Sequence, residues 1–153
     1  MSNDSYLNKI NLLKLLKADI YIKKNKHLFE KNFYHKQVII NDILKKKHYK
    51  LIDNFLSAAK EFYPNLIVNF LSTDDILLRI ENLKELDKNY ISLIFCDKDT
   101  LNNLPPHLIC HDNIYKSNLN KNIFLFNTSL VSDNISNDVK KLIWNDFKYI
   151  TKI

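Results

Sequence analysis

The stretch Leu66-Ile-Val-Asn-Phe-Leu-Ser-Thr-Asp-Asp-Ile-Leu-Leu-Arg-Ile80 contains the strand-to-helix switch from which the fold is read. LIVNFL (66–71) is a short, branched, apolar run of the kind a sheet buries on both faces. Ser72 then stands where a side-chain oxygen can accept from the first free amides of a helix, and Asp75 follows three residues later as in a capping box, so a helix begins near Thr73. A strand that feeds directly into a capped helix is the unit of an α/β sheet.

The neighbouring segments repeat this logic. Upstream, Leu51, Ile52, Phe55, Leu56, Ala58, Ala59 and Phe62 recur at helical spacing over 48–62, and Pro64 bars continuation past Tyr63. VII (38–40) is a candidate strand. Downstream, YISLIFC (90–96) and NIFLFN (122–127) are two more buried strands, and 97–121, interrupted by Pro105-Pro106, is read as irregular. Ser136 or Asn137 caps a last helix over 138–150, with an apolar face of Val139, Leu142, Ile143, Phe147 and Ile150 and with Trp144 beside it. The expected fold is therefore α/β: a small central sheet of about four strands flanked by helices, with Leu51, Phe55, Ile67, Leu93, Leu125, Leu142 and Trp144 in its core. As a core aromatic, Trp144 should cost about 3–5 kcal/mol when cut to alanine.

Ahead of this lies a different kind of sequence. In SYLNKINLLKLLK (5–17), Leu7, Ile10, Leu13 and Leu16 recur at helical spacing behind a cap at Asp4, which describes an amphipathic helix; DIYIKK (19–24) alternates like a strand, and 24–36 reads as a loop or an edge. The amphipathic segment suits a helix that packs on its own sheet, or a peptide that folds into a groove between partner subunits.

The composition narrows the function. Among 153 residues there is no glycine and one arginine, Arg79. Glycine normally makes up about 7% of a protein. Its absence excludes phosphate loops, dinucleotide-binding turns and nucleophile elbows in their usual form, because each needs a residue without Cβ. An A/T-rich coding bias would give the same excess of lysine and asparagine as a functional demand for them, so the excess by itself assigns no function. Residues 1–50 hold 12 lysines against 4 acids, whereas 51–153 hold 11 basic residues against 13 acids. The tracts Lys23-Lys24-Asn25-Lys26 and Lys45-Lys46-Lys47-His48 could meet nucleic acid, acidic protein or anionic lipid, or serve only as a solvated surface. No apolar run approaches the roughly 20 residues of a membrane span, no signal-peptide core is visible, and two cysteines, Cys96 and Cys110, fit reduced thiols. A cytoplasmic location is expected.

Three constellations bear on chemistry. LIFCDKDTL (93–101), an apolar strand ending in Asp97-Lys98-Asp99-Thr100, resembles the first motif of haloacid-dehalogenase-type phosphotransferases, in which the first Asp is a nucleophile and the second a general acid/base; NIFLFNT (122–128) resembles the second motif. The glycine expected between Asp99 and Thr100 is missing, only 25 residues follow Thr128, and two aspartates after a strand also describe a polar turn. Cys96, His107, Cys110 and His111 are metal-ligand types, but in a spacing that matches no standard zinc site. Finally, His27, His35 and His48 stand with Phe29, Phe33, Tyr34 and Tyr49 among lysines, the arrangement that stacks bases while neutralising phosphates in single-strand binders; the same aromatics also suit a core and its rim.

From end to end, the order of segments resembles the psi subunit of the bacterial DNA polymerase III clamp-loader complex. In DSYLNKINL (4–12), Asp4, Leu7, Ile10 and Leu12 match that family's Asp, two aliphatics and a further aliphatic, with Asn11 where glycine is usual. In IYIKKNKHL (20–28), Ile22, Lys23, Lys24 and Leu28 match, and Ile20 or Tyr21 takes the aromatic position. LIDNFLSAAKEFYPNLIVNFLSTDDILLRI (51–80) follows the family's order of helix, proline, strand and capped helix. NDVKKLIWNDF (137–147) resembles its C-terminal helix, with Lys140 ahead of the aliphatic-Trp pair Ile143-Trp144.

The resemblance implies a non-catalytic adaptor without cofactor, metal or membrane contact. Residues 1–28 would dock on the collar of the clamp-loader ATPase subunits (gamma and tau) through Asp4, Leu7, Ile10, Leu12, Ile20, Tyr21, Ile22, Lys23, Lys24 and Leu28. Residues 29–153, a single α/β domain, would hold the chi subunit, and through it single-strand-binding protein and DNA.

Overall fold

The computed structural model describes residues 34–82, 89–117 and 121–153. The segments 5–17 and 19–24 and every docking residue named above therefore lie outside the described residues. The chain divides into two compact units, Met1–Tyr34 and His35–Ile153, and all elements described here belong to the second.

In chain order these elements are β1 (His35–Asn41), α1 (Asp42–Lys47), α2 (Tyr49–Phe62), β2 (Ile67–Leu71), α3 (Thr73–Glu81), β3 (Tyr90–Phe95), α4 (Lys98–Asn102), β4 (Leu108–His111), β5 (Ile114–Ser117), β6 (Ile123–Asn127), a 3-10 turn (Ser129–Val131) and α5 (Asn137–Lys152). The strands form one sheet in the order β2-β1-β3-β6-β5-β4. The first four run parallel, and β5 and β4 join antiparallel at the β6 edge. Among the described residues no helix is long and apolar enough to cross a membrane.

The α/β class and the four expected strands are present, and these four make the parallel part of the sheet. Among the described residues the count of four is corrected to six, because 98–117 is not irregular: it holds α4 and the hairpin β4–β5. The hairpin pairs His111 with Ile114 across a two-residue turn, Asp112-Asn113, with φ of 52° and 63°. A two-residue turn with both φ positive is type I′, whose usual sequence signal is Asn-Gly or Asp-Gly. A chain without glycine builds the turn from Asp and Asn, the next residues to tolerate the left-handed region, so the usual signal is missing. β1 also begins earlier than its apolar core. Lys36 and Gln37 are buried; the Gln37 amide donates to Ser92 Oγ (2.6 Å), and Asn69 and Arg79 donate to Gln37 Oε1.

Local chemistry sets the helix ends. Ser72 Oγ accepts from Asp75 N (3.1 Å) and Ser136 Oγ from Val139 N (3.2 Å), as expected of caps. α2 stops at Phe62, two residues before Pro64. α1 was not legible as a helix; Asn41 caps it by accepting from Ile43 N (3.0 Å), and it breaks from α2 at His48.

Alternation along the strands divides the core into two layers. One face carries Ile40 and Phe95 under α2 and α5, with Ile52, Leu130 and Ile143 closing over them. The other carries Ile39, Ile94, Cys96 and Phe124 under Ile76 and Ile80 of α3. Of the expected core, Leu93 is fully buried; Leu51, Phe55, Ile67, Leu125 and Trp144 are half-buried. Leu142 is the correction: it is 49% exposed. Ile143, Phe147 and Ile150 form the i, i+4, i+7 stripe that faces the sheet, and Leu142 sits about 100° round the helix from it.

Candidate functional site

Strand order reverses between β1 and β3, since the chain steps from β1 outward to β2 and then returns past β1 to β3. In an open α/β sheet the crevice at the carboxyl ends of such strands is where ligands bind. Here that edge is filled by the protein's own polar groups. Asn41, 1% exposed, donates from Nδ2 to Thr73 Oγ1 (2.9 Å). The Thr73 hydroxyl donates to Asp97 Oδ2 (3.3 Å), and Asp97 Oδ1 accepts from both Thr100 N (2.8 Å) and Thr100 Oγ1 (2.7 Å). Asp97 is thus the N-cap of α4. Burial works to raise its pKa, but the bonds from Thr100 and Thr73 outweigh it and hold the carboxyl below its ordinary range. One strand further on, the Asn127 amide donates to Asp146 Oδ2 (2.7 Å) and its carbonyl accepts from Ser129 N and Oγ. Burial raises the Asp146 pKa against that hydrogen bond.

The two aspartates of the phosphotransferase-like motif therefore part company. Both Asp97 oxygens are spent on Thr73 and Thr100, whereas Asp99 is exposed on α4. Nor are the metal-ligand types drawn together: among the described residues no three His, Cys, Asp or Glu side chains form a group that could hold a metal ion. Cys96 is buried in the α3 layer with its pKa pushed up to about 12 by burial and by the neighbouring Asp97 charge, so it stays a thiol. Cys110 and His111 are exposed on β4, and His107 Nδ1 lies 3.5 Å from Ser117 Oγ.

Among the described residues an open concavity lies elsewhere, between α2 and α5. Leu51, Asn54 and Phe55 of α2 and Lys140, Ile143 and Trp144 of α5 line a groove of about 270 Å³. Its floor is aromatic. Phe55 meets Phe95, Trp144 and Phe147 edge-on at centroid distances of 5.6, 6.3 and 5.7 Å, and Phe62 meets Trp144 at 5.8 Å. Phe147 is fully buried, whereas Phe62 is 54% exposed. The groove is thus apolar below and carries an amide and an ammonium among its lining, the make-up of a surface that receives an apolar side chain from another molecule.

Sequence reasoning put Phe55 and Trp144 in the core and missed that they line an opening. It also passed over Asn41 and Asn127, although each ends an apolar strand run with a polar residue, a signal for the carboxyl edge. Comparison with protein-family models, curated proteins and solved structures finds no match to this chain.

Proposed function

We propose that this chain is a non-catalytic, cytoplasmic adaptor of a bacterial DNA polymerase III clamp loader, similar to the psi subunit. Its N-terminal residues 1–28 dock on the ATPase collar. Its α/β body holds the chi subunit, linking the loader to single-strand-binding protein during DNA replication. One observation carries the reading. All six residues that line the groove come from the two stretches, 51–80 and 137–147, on which the resemblance rests in the α/β body, and they include Lys140 and the Ile143-Trp144 pair. The carboxyl edge adds support, since the polar groups an α/β enzyme would offer to a substrate are here hydrogen-bonded to one another.

Co-purification of the full chain with the clamp-loader ATPase and the chi subunit tests the proposal. The intact chain should capture both. Leu7→Asp with Ile10→Asp should lose the ATPase and keep chi, and Trp144→Asp should do the reverse. Failure of the intact chain to capture either partner rejects the reading.

A further inference from the structure

The corner where α1 meets α2 has a chemistry that an adaptor does not require. Lys45, Lys46, Lys47 and Lys50 fall within six positions, against Asp42 as the one acid of residues 41–50. Lys47 is engaged, bonded to Asp133 (2.6 Å) and to the Val131 carbonyl (2.6 Å). Lys46 and Lys50 are exposed, and neither has a carboxylate partner among the described residues. The Lys45 ammonium lies 3.9 Å over the ring of Phe70, which is 36% exposed on β2 at the edge of the sheet. Tyr49, the first residue of α2, is 56% exposed, and Ile43 of α1 is 68% exposed. Exposed lysines flanking an exposed aromatic residue in the chain, as Lys46 and Lys50 flank Tyr49, are the two parts of a single-strand platform: the ammonium groups release counterions from phosphates, and the ring stacks on an unpaired base. Paired bases in a duplex already stack on one another and have no use for the rings.

We propose that this corner binds single-stranded DNA, with Lys46 and Lys50 on backbone phosphates and Tyr49 beneath a base. The contact is direct and does not depend on the adaptor reading.

Fluorescence anisotropy of the full chain with a labelled oligothymidylate at low salt tests it. Binding should weaken as salt rises, and Lys46→Glu with Lys50→Glu should cut affinity at least about tenfold and flatten the log–log salt slope by about 1.4, two phosphates at about 0.7 each. Tyr49→Ala should cut affinity about tenfold and leave the slope unchanged, as loss of stacking does. The same charge reversal at the exposed Lys60 and Lys116 should leave affinity within about twofold. All three altered corner residues are exposed, so the fold is not at stake, and the N-terminal lysines remain in every variant. Unchanged binding in the corner variants overturns the proposal. So does absent binding at low salt, equal affinity for duplex DNA, or a preference for RNA or for phosphatidylserine vesicles.

Discussion

Under α3, Ile76 and Ile80 are at most 1% exposed and seal Ile39, Ile94 and Cys96 beneath them, whereas α2 and α5 on the opposite face leave Phe55 and Trp144 half open around a groove. Both layers cover the same parallel strands and are built from amphipathic helices. They differ in what fills the contact. On one face the covering helix contributes two buried isoleucines, Ile76 and Ile80, over Ile39, Ile94, Cys96 and Phe124. On the other, large rings on two helices meet edge-on at 5.7–6.3 Å and leave space between the helix axes. A sealed layer contributes stability alone, and an open aromatic layer keeps apolar surface for a second molecule.

Ile80→Ala tests the sealed side and should give the largest effect, a loss of about 3 kcal/mol in chemical denaturation with partner capture intact. If capture fails while the fold survives, the two faces are not separate in role. Trp144→Ala should cost about 2 kcal/mol, because a half-buried ring gives up part of the 3–5 kcal/mol of a fully buried one; the same variant should lose capture of the chi subunit. A loss of 4 kcal/mol or more would make the groove part of the core and erase the contrast.

Asp97→Ala removes the cap of α4, whose Leu101 packs against the α3 layer, and should cost about 1 kcal/mol at neutral pH. The native Asp97 pKa lies below its unfolded value of about 3.9. Its contribution is therefore complete above that value and fades as pH falls through the native one. Denaturation midpoints measured from neutral to acid pH should converge for the variant and the parent, and parallel curves would remove Asp97 from the acid response. The smallest change is Asn113→Gly, which should add about 0.5 kcal/mol by relieving one left-handed residue in the β4–β5 turn. No gain in thermal midpoint would mean that the Asn side chain already offsets its backbone strain.

These variants also mark where the sequence could be read. The helix that carries Ile80 was legible because its Ser72 cap follows an apolar strand directly, so each local signal agrees with the fold, although Ile80 itself was not singled out for the core. Trp144 was legible only as apolar. Whether a ring at the border of a helical stripe is covered depends on the neighbouring helix, and no spacing within 138–150 contains that distance. Leu142 failed for the same reason, one position off the buried stripe. The hairpin was hidden because its turn lacks glycine and its strands are four residues long and largely open to solvent. Asp97 read as a residue of a polar turn, with the nucleophile as the weaker alternative, and the structure adds that Thr73, 24 positions away, shares its carboxylate.

By itself, then, the sequence determined the α/β class, the four strands that turn out to be parallel, the Ser72 cap, a cap at Ser136 or Asn137 and the exclusion of glycine-dependent phosphate sites, because these follow from periodicity, capping chemistry and backbone sterics over a few adjacent residues. Only the tertiary structure decided that the carboxyl edge is closed on itself, that the sheet extends by an Asp-Asn hairpin, and that the aromatic layer is open. Each of those depends on contacts between residues far apart in the chain, whose distances are fixed by how whole elements pack.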